Sequence, residues 1–228
     1  MLFALCSMPT RILSIHRYKR VTELLKRRQS DLTVVLEGVQ KGHNLAAITR
    51  TCDAVGILQM HALMPSRIKR RRRPSGGSHK WVQLYTYDSM REIIERLRQD
   101  KFQILVAHQD NEARCYLDID YTRPTALVFG TELFGVSPQT IDMADQKLYI
   151  PMMGMVESLN VSVAAGVILY ETRRQRERAG LYEQPRLDNK TIERLTFEMM
   201  YPRVAEYYKS QNKPYPLLDE HGHMITGA

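Results

Sequence analysis

The segment TALVFG, residues 125–130, is apolar nearly throughout. A strand with one wet face alternates polar and apolar residues. A strand apolar on both sides belongs in a parallel sheet covered by helices on both faces. Five further stretches have strand character: LTVVLEGV (32–39), LQMHALM (58–64), WVQLYTY (81–87), KFQILVAHQ (101–109) and KLYIPM (147–152). Helical stretches alternate with them. LAAITRTCDAVG (45–56) ends at Gly56, a usual residue just past a helix. SMREIIERLRQD (89–100) begins at a capping serine, Ser89. SPQTIDMADQ (137–146) starts with Ser137 as cap and Pro138 in the first helical position. NVSVAAGVILYETRRQRERAG (160–180) closes the series. This alternation predicts an α/β domain with a mainly parallel sheet over residues 30–180.

Two extensions flank it. Residues 1–29 hold an amphipathic basic helix at 17–28, with Val21, Leu24 and Leu25 spaced i, i+3, i+4. Residues 181–228 read as helix interrupted at Pro202, then a loose tail. MLFALCSMPTRIL begins apolar and turns basic, the reverse of a secretory signal, and Met8 is an alternative start. No apolar run approaches the roughly 18 residues of a membrane-spanning helix, so no membrane partner is expected. Three widely spaced cysteines (6, 52 and 115) form neither a disulfide framework nor a CxxC pair. Together with the absence of an HExxH motif, this predicts no metal and a reducing, cytoplasmic setting.

The net charge is +8, and it is concentrated in RYKRVTELLKRR (17–28), RIKRRRR (67–73) and ETRRQRER (171–178). One such run is usually a solvated face. Three point to a polyanionic partner such as nucleic acid. Arg70 and Arg71, in the middle run, are expected in a salt-sensitive RNA footprint.

Open α/β sheets bind ligands at the carboxyl ends of their strands. The loops there are GVQKGHN, FGTELFG and IPMMGMVESLN. None is a dinucleotide-binding GxGxxG turn, a GxxxxGK[ST] phosphate loop or a GxSxG nucleophile elbow. Gly130, Gly135 and Gly154 either let the backbone approach a ligand or simply make turns. Their polar neighbours are Asn44, Arg50, Glu132, Ser158 and Asn160. Asn44 and Arg50 are expected on one side of their helix. Arg50 either pairs with an acid in the fold or faces a phosphate or reacting oxygen.

HNLAAITRTCDAVG, LVFGTELFGVSPQTIDMAD and IPMMGMVESLNVSVAAGVILYE, in that order, resemble the three motifs of the SPOUT superfamily. They are most similar to its tRNA guanosine-18 2′-O-methyltransferase branch, the TrmH/SpoU type, over residues 17–180. The resemblance implies a C-terminal trefoil knot in which these loops fold over one another, although threaded chains are rare. It implies an S-adenosyl-L-methionine site at Ala107, Gly130, Ile150, Met155 and Leu159, with Leu159 against the adenine. Ala107 stands where a hydroxyl residue is common. Arg50, Asn44, Glu132, Ser158 and Asn160 match catalytic motif positions, and Ser158 and Asn160 would also cap the last core helix. Arg17, Arg173 and Arg176 match positions linked to tRNA binding. A homodimer whose sites borrow residues from the partner is also implied.

The residue types suit the chemistry. A ribose hydroxyl needs a base, or a cation to stabilise its alkoxide. Arginine, with a pKa above about 12, suits the second task better than the first. Two other readings compete: a ribosomal RNA 2′-O-methyltransferase of the same superfamily, and a non-catalytic RNA-binding factor on the same fold.

Overall fold

A computed structural model describes residues 15–39, 41–64, 81–131 and 134–225. Glu132, and the arginine run containing Arg70 and Arg71, lie outside the described residues. The chain divides into two compact units, residues 28–186 and residues 1–27 with 187–228.

In the larger unit, seven parallel strands form one sheet. They are β1 (Leu32–Glu37), β2 (Gln59–Leu63), β3 (Gln83–Tyr87), β4 (Gln103–Ala107), β5 (Arg114–Cys115), β6 (Thr125–Phe129) and β7 (Gln146–Tyr149), in the order β3-β2-β1-β6-β4-β7-β5. The apolar segment TALVF is β6, which lies between β1 and β4, and all five of its residues are buried. Every strand expected from the sequence forms. The two-residue β5 was not foreseen, since a strand that short carries no periodic signal.

Helices cover both faces. On one side, α2 (Gly42–Ala54) and α5 (Val161–Arg178) bury Leu45, Ile48, Ala165 and Ile168 against Val34 and Leu36. On the other, α3 (Met90–Gln99) buries Ile93, Ile94 and Leu97 against Val35, Val106 and Val128. Adjacent β1 residues therefore serve opposite cores, as the period of two demands. Each fully buried aliphatic side chain contributes roughly 1.5–3 kcal/mol.

The helix ends follow the sequence signals. Ser89 Oγ accepts a hydrogen bond from Glu92 N at 3.2 Å. Acidic Glu92 sits in the first turn of α3, and Arg96 and Arg98 in its last, which suits the helix dipole. Gly56 takes φ 85° just beyond α2, a conformation that favours glycine. Helix α4 (Pro138–Asp142) is shorter than expected, and Ser137 caps it through Thr140 N at 3.3 Å.

In the smaller unit, α1 (Ile15–Lys26) packs against α6 (Asn189–Met200), which Pro202 separates from α7 (Pro202–Ser210). Stacking of Phe197 on Tyr215, centroids 4.6 Å apart, holds the tail to these helices. Among the described residues, no helix is long and apolar enough to cross a membrane.

Candidate active site

The carboxyl ends of β4, β6 and β7 and the start of α5 enclose a cavity of about 280 Å³. Ala107 comes from the end of β4, Gly130 follows β6 and Ile150 follows β7. Ser158 and Leu159 precede α5. Side chains of Phe129, Val161 and Ile168 complete an apolar floor. The cavity thus lies where open α/β sheets place their ligands.

Local chemistry explains the loop after β6. A Cβ on Gly130 would fall 2.0 Å from Gly135 O, so only glycine fits there. The loop doubles back through Thr131 N to Gly135 O at 2.9 Å and Gly135 N to Thr131 O at 3.0 Å. The glycines at 130 and 135 therefore make the turn, and they line the cavity as well.

Four of the five expected cofactor positions, Ala107, Gly130, Ile150 and Leu159, line this one cavity. Met155 does not. Its side chain is 100% exposed and lies outside the lining, because residues 153–156 are exposed between the lining residues Met152 and Glu157. The sequence reading also missed His108, Gln109, Thr131 and Glu157, all lining residues. Their adjacency to Ala107, Gly130 and Ser158 was the available signal.

Ser158 and Asn160 divide their tasks. Asn160 caps α5: its Oδ1 accepts from Ser162 N at 2.9 Å and Ser162 Oγ at 2.6 Å. Its Nδ2 donates to Oδ1 of Asn44 at 3.3 Å, joining two motifs 116 residues apart. Asn44 is 2% exposed, so this polar side chain is held inside the fold. Ser158 caps nothing. It is exposed, lines the cavity and makes no side-chain hydrogen bond among the described residues.

Arg50 is exposed on α2, while Asn44 is buried. They do not share a side of the helix, because six residues advance about 240° beyond a full turn. Among the described residues Arg50 has no hydrogen-bond or ion-pair partner, and it does not line the cavity. The alternative in which a nearby acid pairs with it is not realised there.

The expected RNA contacts differ in their surroundings. Arg176 is 0% exposed. It pairs with Asp31, donates to Gln29 Oε1 at 3.0 Å and to the Tyr121 carbonyl at 3.1 Å. Burial pulls its pKa down, and Asp31 opposes that. A side chain so enclosed cannot reach RNA, so its role is inside the fold. The error arose because an arginine run gives no sign of which member turns inward. Arg173 remains accessible, 3.3 Å from Glu177 and 6.0 Å above the Tyr170 ring. In the smaller unit, exposed Arg17 donates to the Met199 carbonyl at 3.0 Å.

The cavity's chemistry fits S-adenosyl-L-methionine. Apolar walls suit a purine, glycine-rich backbone suits its polar edge, and the carboxylate of Glu157 suits a cation. The volume is near the low end of ligand pockets, which begin at roughly 300 Å³.

Comparison with known proteins places this arrangement. Over 215 residues the chain is 44% identical to an Escherichia coli K12 protein named tRNA (guanosine(18)-2′-O)-methyltransferase, covering 93% of this chain and 94% of that one. The Aquifex aeolicus TrmH/SpoU tRNA modifying enzyme matches in structure with TM-score 0.79 and 42% identity, over 85% of this chain and 98% of that one. The SpoU methyltransferase AviRb from Streptomyces viridochromogenes, solved with the cofactor AdoMet, matches with TM-score 0.56 and 25% identity, over 67% and 62%. Residues 31–170 match the SpoU rRNA Methylase family, and residues 174–227 match the C-terminal region described as SpoU, rRNA methylase. The chain belongs to the SpoU rRNA methylase family.

Proposed function

We propose that this chain transfers a methyl group from S-adenosyl-L-methionine to the 2′-hydroxyl of guanosine 18 in tRNA. One observation carries the reading: four cofactor positions and Ser158 meet in a single cavity, in a chain matching the E. coli enzyme almost end to end.

Ala107, Gly130, Ile150 and Leu159 would hold the cofactor, which supplies an electrophilic methyl group. Phe129, Val161 and Ile168 exclude water from beneath it. The Asn160–Asn44 hydrogen bond fixes the start of α5 against α2, so Ser158 meets the cavity at a set position. Arg50 acts as a cation beside the ribose oxygen and a neighbouring phosphate. The hydroxyl proton leaves to water. Glu132 orients the same site.

The chain works as a homodimer in this reading. Phe134 (84% exposed), Met153 (96%) and Val156 directly adjoin the cavity residues Gly135, Met152 and Glu157. Exposed apolar side chains beside the cavity suit an interface. Arg50, exposed and outside its own chain's cavity, suits a site completed by a partner. Arg17, Arg70, Arg71 and Arg173 supply the tRNA contacts, and the setting is cytoplasmic.

The test is methyl transfer from labelled S-adenosyl-L-methionine to unmodified tRNA transcript, followed by nucleoside analysis. The expected product is 2′-O-methylguanosine in the D-loop. Transfer to ribosomal RNA instead would favour the second reading, which the family's own description suggests. Sedimentation of a monomer would remove the dimer.

A further inference from the structure

Glu157 lines the cavity, and no cation neutralises it among the described residues of its own chain. It lies between exposed Val156 and exposed Ser158. Its carboxylate makes no hydrogen bond or ion pair among the described residues. Among the described residues, no lysine or arginine lines the cavity, and Glu157 is the acid that does. By contrast, the partly buried acids Asp31, Asp53 and Glu171 are engaged, Asp31 by Arg176 and Arg186, Asp53 by Arg28, and Glu171 by Arg174. Among the described lining residues, Glu157 therefore contributes an uncompensated negative charge over an apolar floor.

We propose that Glu157 is a specificity determinant of the cofactor site, favouring the cationic methyl donor over its neutral product. This rests on the reading of the chain as an S-adenosyl-L-methionine-dependent methyltransferase. In that reaction the carbon–sulfur bond breaks as the carbon–oxygen bond forms, and the bonding pair stays on sulfur. The donor's sulfonium charge is thereby lost, while its ammonium and carboxylate persist in S-adenosylhomocysteine. A carboxylate in the cavity attracts the donor's extra charge and gains nothing from the product. A cavity of about 280 Å³ is on the order of one Debye length across, about 8 Å at physiological salt, so the attraction survives screening.

The same argument fixes the kinetic signature. An interaction stronger with the ground-state cation than with the transition state lowers KM without raising kcat. Glu157→Gln should raise the KM for S-adenosyl-L-methionine up to about fivefold, the scale of a solvent-exposed ion pair. It should leave kcat unchanged or slightly raised.

Calorimetric titration of S-adenosyl-L-methionine and S-adenosylhomocysteine into wild type, Glu157→Gln and Glu157→Asp tests this. The inference stands if Gln weakens the donor alone, if Asp retains the wild-type preference, and if added salt erodes that preference in wild type only. Equal weakening of both ligands would assign the carboxylate to a group they share and overturn the inference, as would no change in either. Failure of wild type to bind either ligand overturns the underlying reading with it, and is distinguished by appearing before any substitution.

Discussion

Helix α5 serves two regions with opposite habits. In its C-terminal half three of the four arginines are matched: Arg174 grips Glu171 through two hydrogen bonds of 2.7 and 2.6 Å, Arg173 meets Glu177, and Arg176 is enclosed with Asp31. Around its N-terminus, Glu157 and Ser158 have no partner among the described residues, and neither does Arg50 on the adjoining α2. Polar groups that build the fold are satisfied inside it. Polar groups left unsatisfied, yet open to solvent, are free to meet a substrate. Charge density in the sequence does not separate the two, because ETRRQRER is the richer segment and much of it is spent internally.

The comparison breaks most visibly at Arg176. Replacing it with methionine leaves Asp31 without one of its two guanidinium partners in a half-closed site. Urea unfolding should show a loss of about 3–5 kcal/mol. A stable Arg176→Met protein with weakened tRNA binding would instead restore the RNA-contact role. Arg50→Ala should do the reverse. Methyl transfer should fall about 10²–10³-fold, the scale of a lost transition-state donor, while the melting temperature and tRNA affinity hold. Full activity in that variant would remove Arg50 from the chemistry.

His61 limits the rule that an unpaired group is a working one. It is buried in β2, its Nδ1 is 3.2 Å from the Tyr87 hydroxyl, and its Nε2 has no partner among the described residues. Burial lowers its pKa to about 4, and the Arg96 charge acts in the same direction. The unfolded value is about 6.5, so the unfolded chain takes up the proton first. Stability is full above about 6.5 and falls as pH drops towards 4. Between about pH 7 and 5 the His61 share of that loss is about 2 kcal/mol. His61→Phe should remove that share from a comparison of urea unfolding at the two pH values, and an unchanged difference would clear His61.

The smallest effect separates the two tasks of Asn160. Asn160→Ala removes the cap and should cost about 1 kcal/mol. Asn160→Ser keeps a capping oxygen and loses the bond to Asn44, so stability should stay near wild type while methyl transfer falls. Equal activity in wild type and Asn160→Ser would show that the Asn44 link does not set the site.

Much was legible in the chain. The fully apolar β6, the capping Ser89 and Ser137, Gly56 past α2, and the break at Pro202 are local signals, and each element formed where they stood. The resemblance named Ala107, Gly130, Ile150 and Leu159 as cofactor positions, and the four line one cavity. The element readings succeed because periodicity, capping and loop chemistry act over a few residues.

Tertiary structure alone decided the rest. Nothing local distinguishes Arg176, which turns inward to Asp31, from Arg173, which stays outside, since both sit in one arginine-rich turn. Nothing local sends Met155 into solvent while Glu157, two residues on, lines the cavity. Asn160 meets Asn44 across 116 residues only because α2 and α5 lie on the same face of the sheet. Burial and pairing depend on what the rest of the chain brings alongside, and that is a property of the assembled sheet and its covering helices rather than of any single segment.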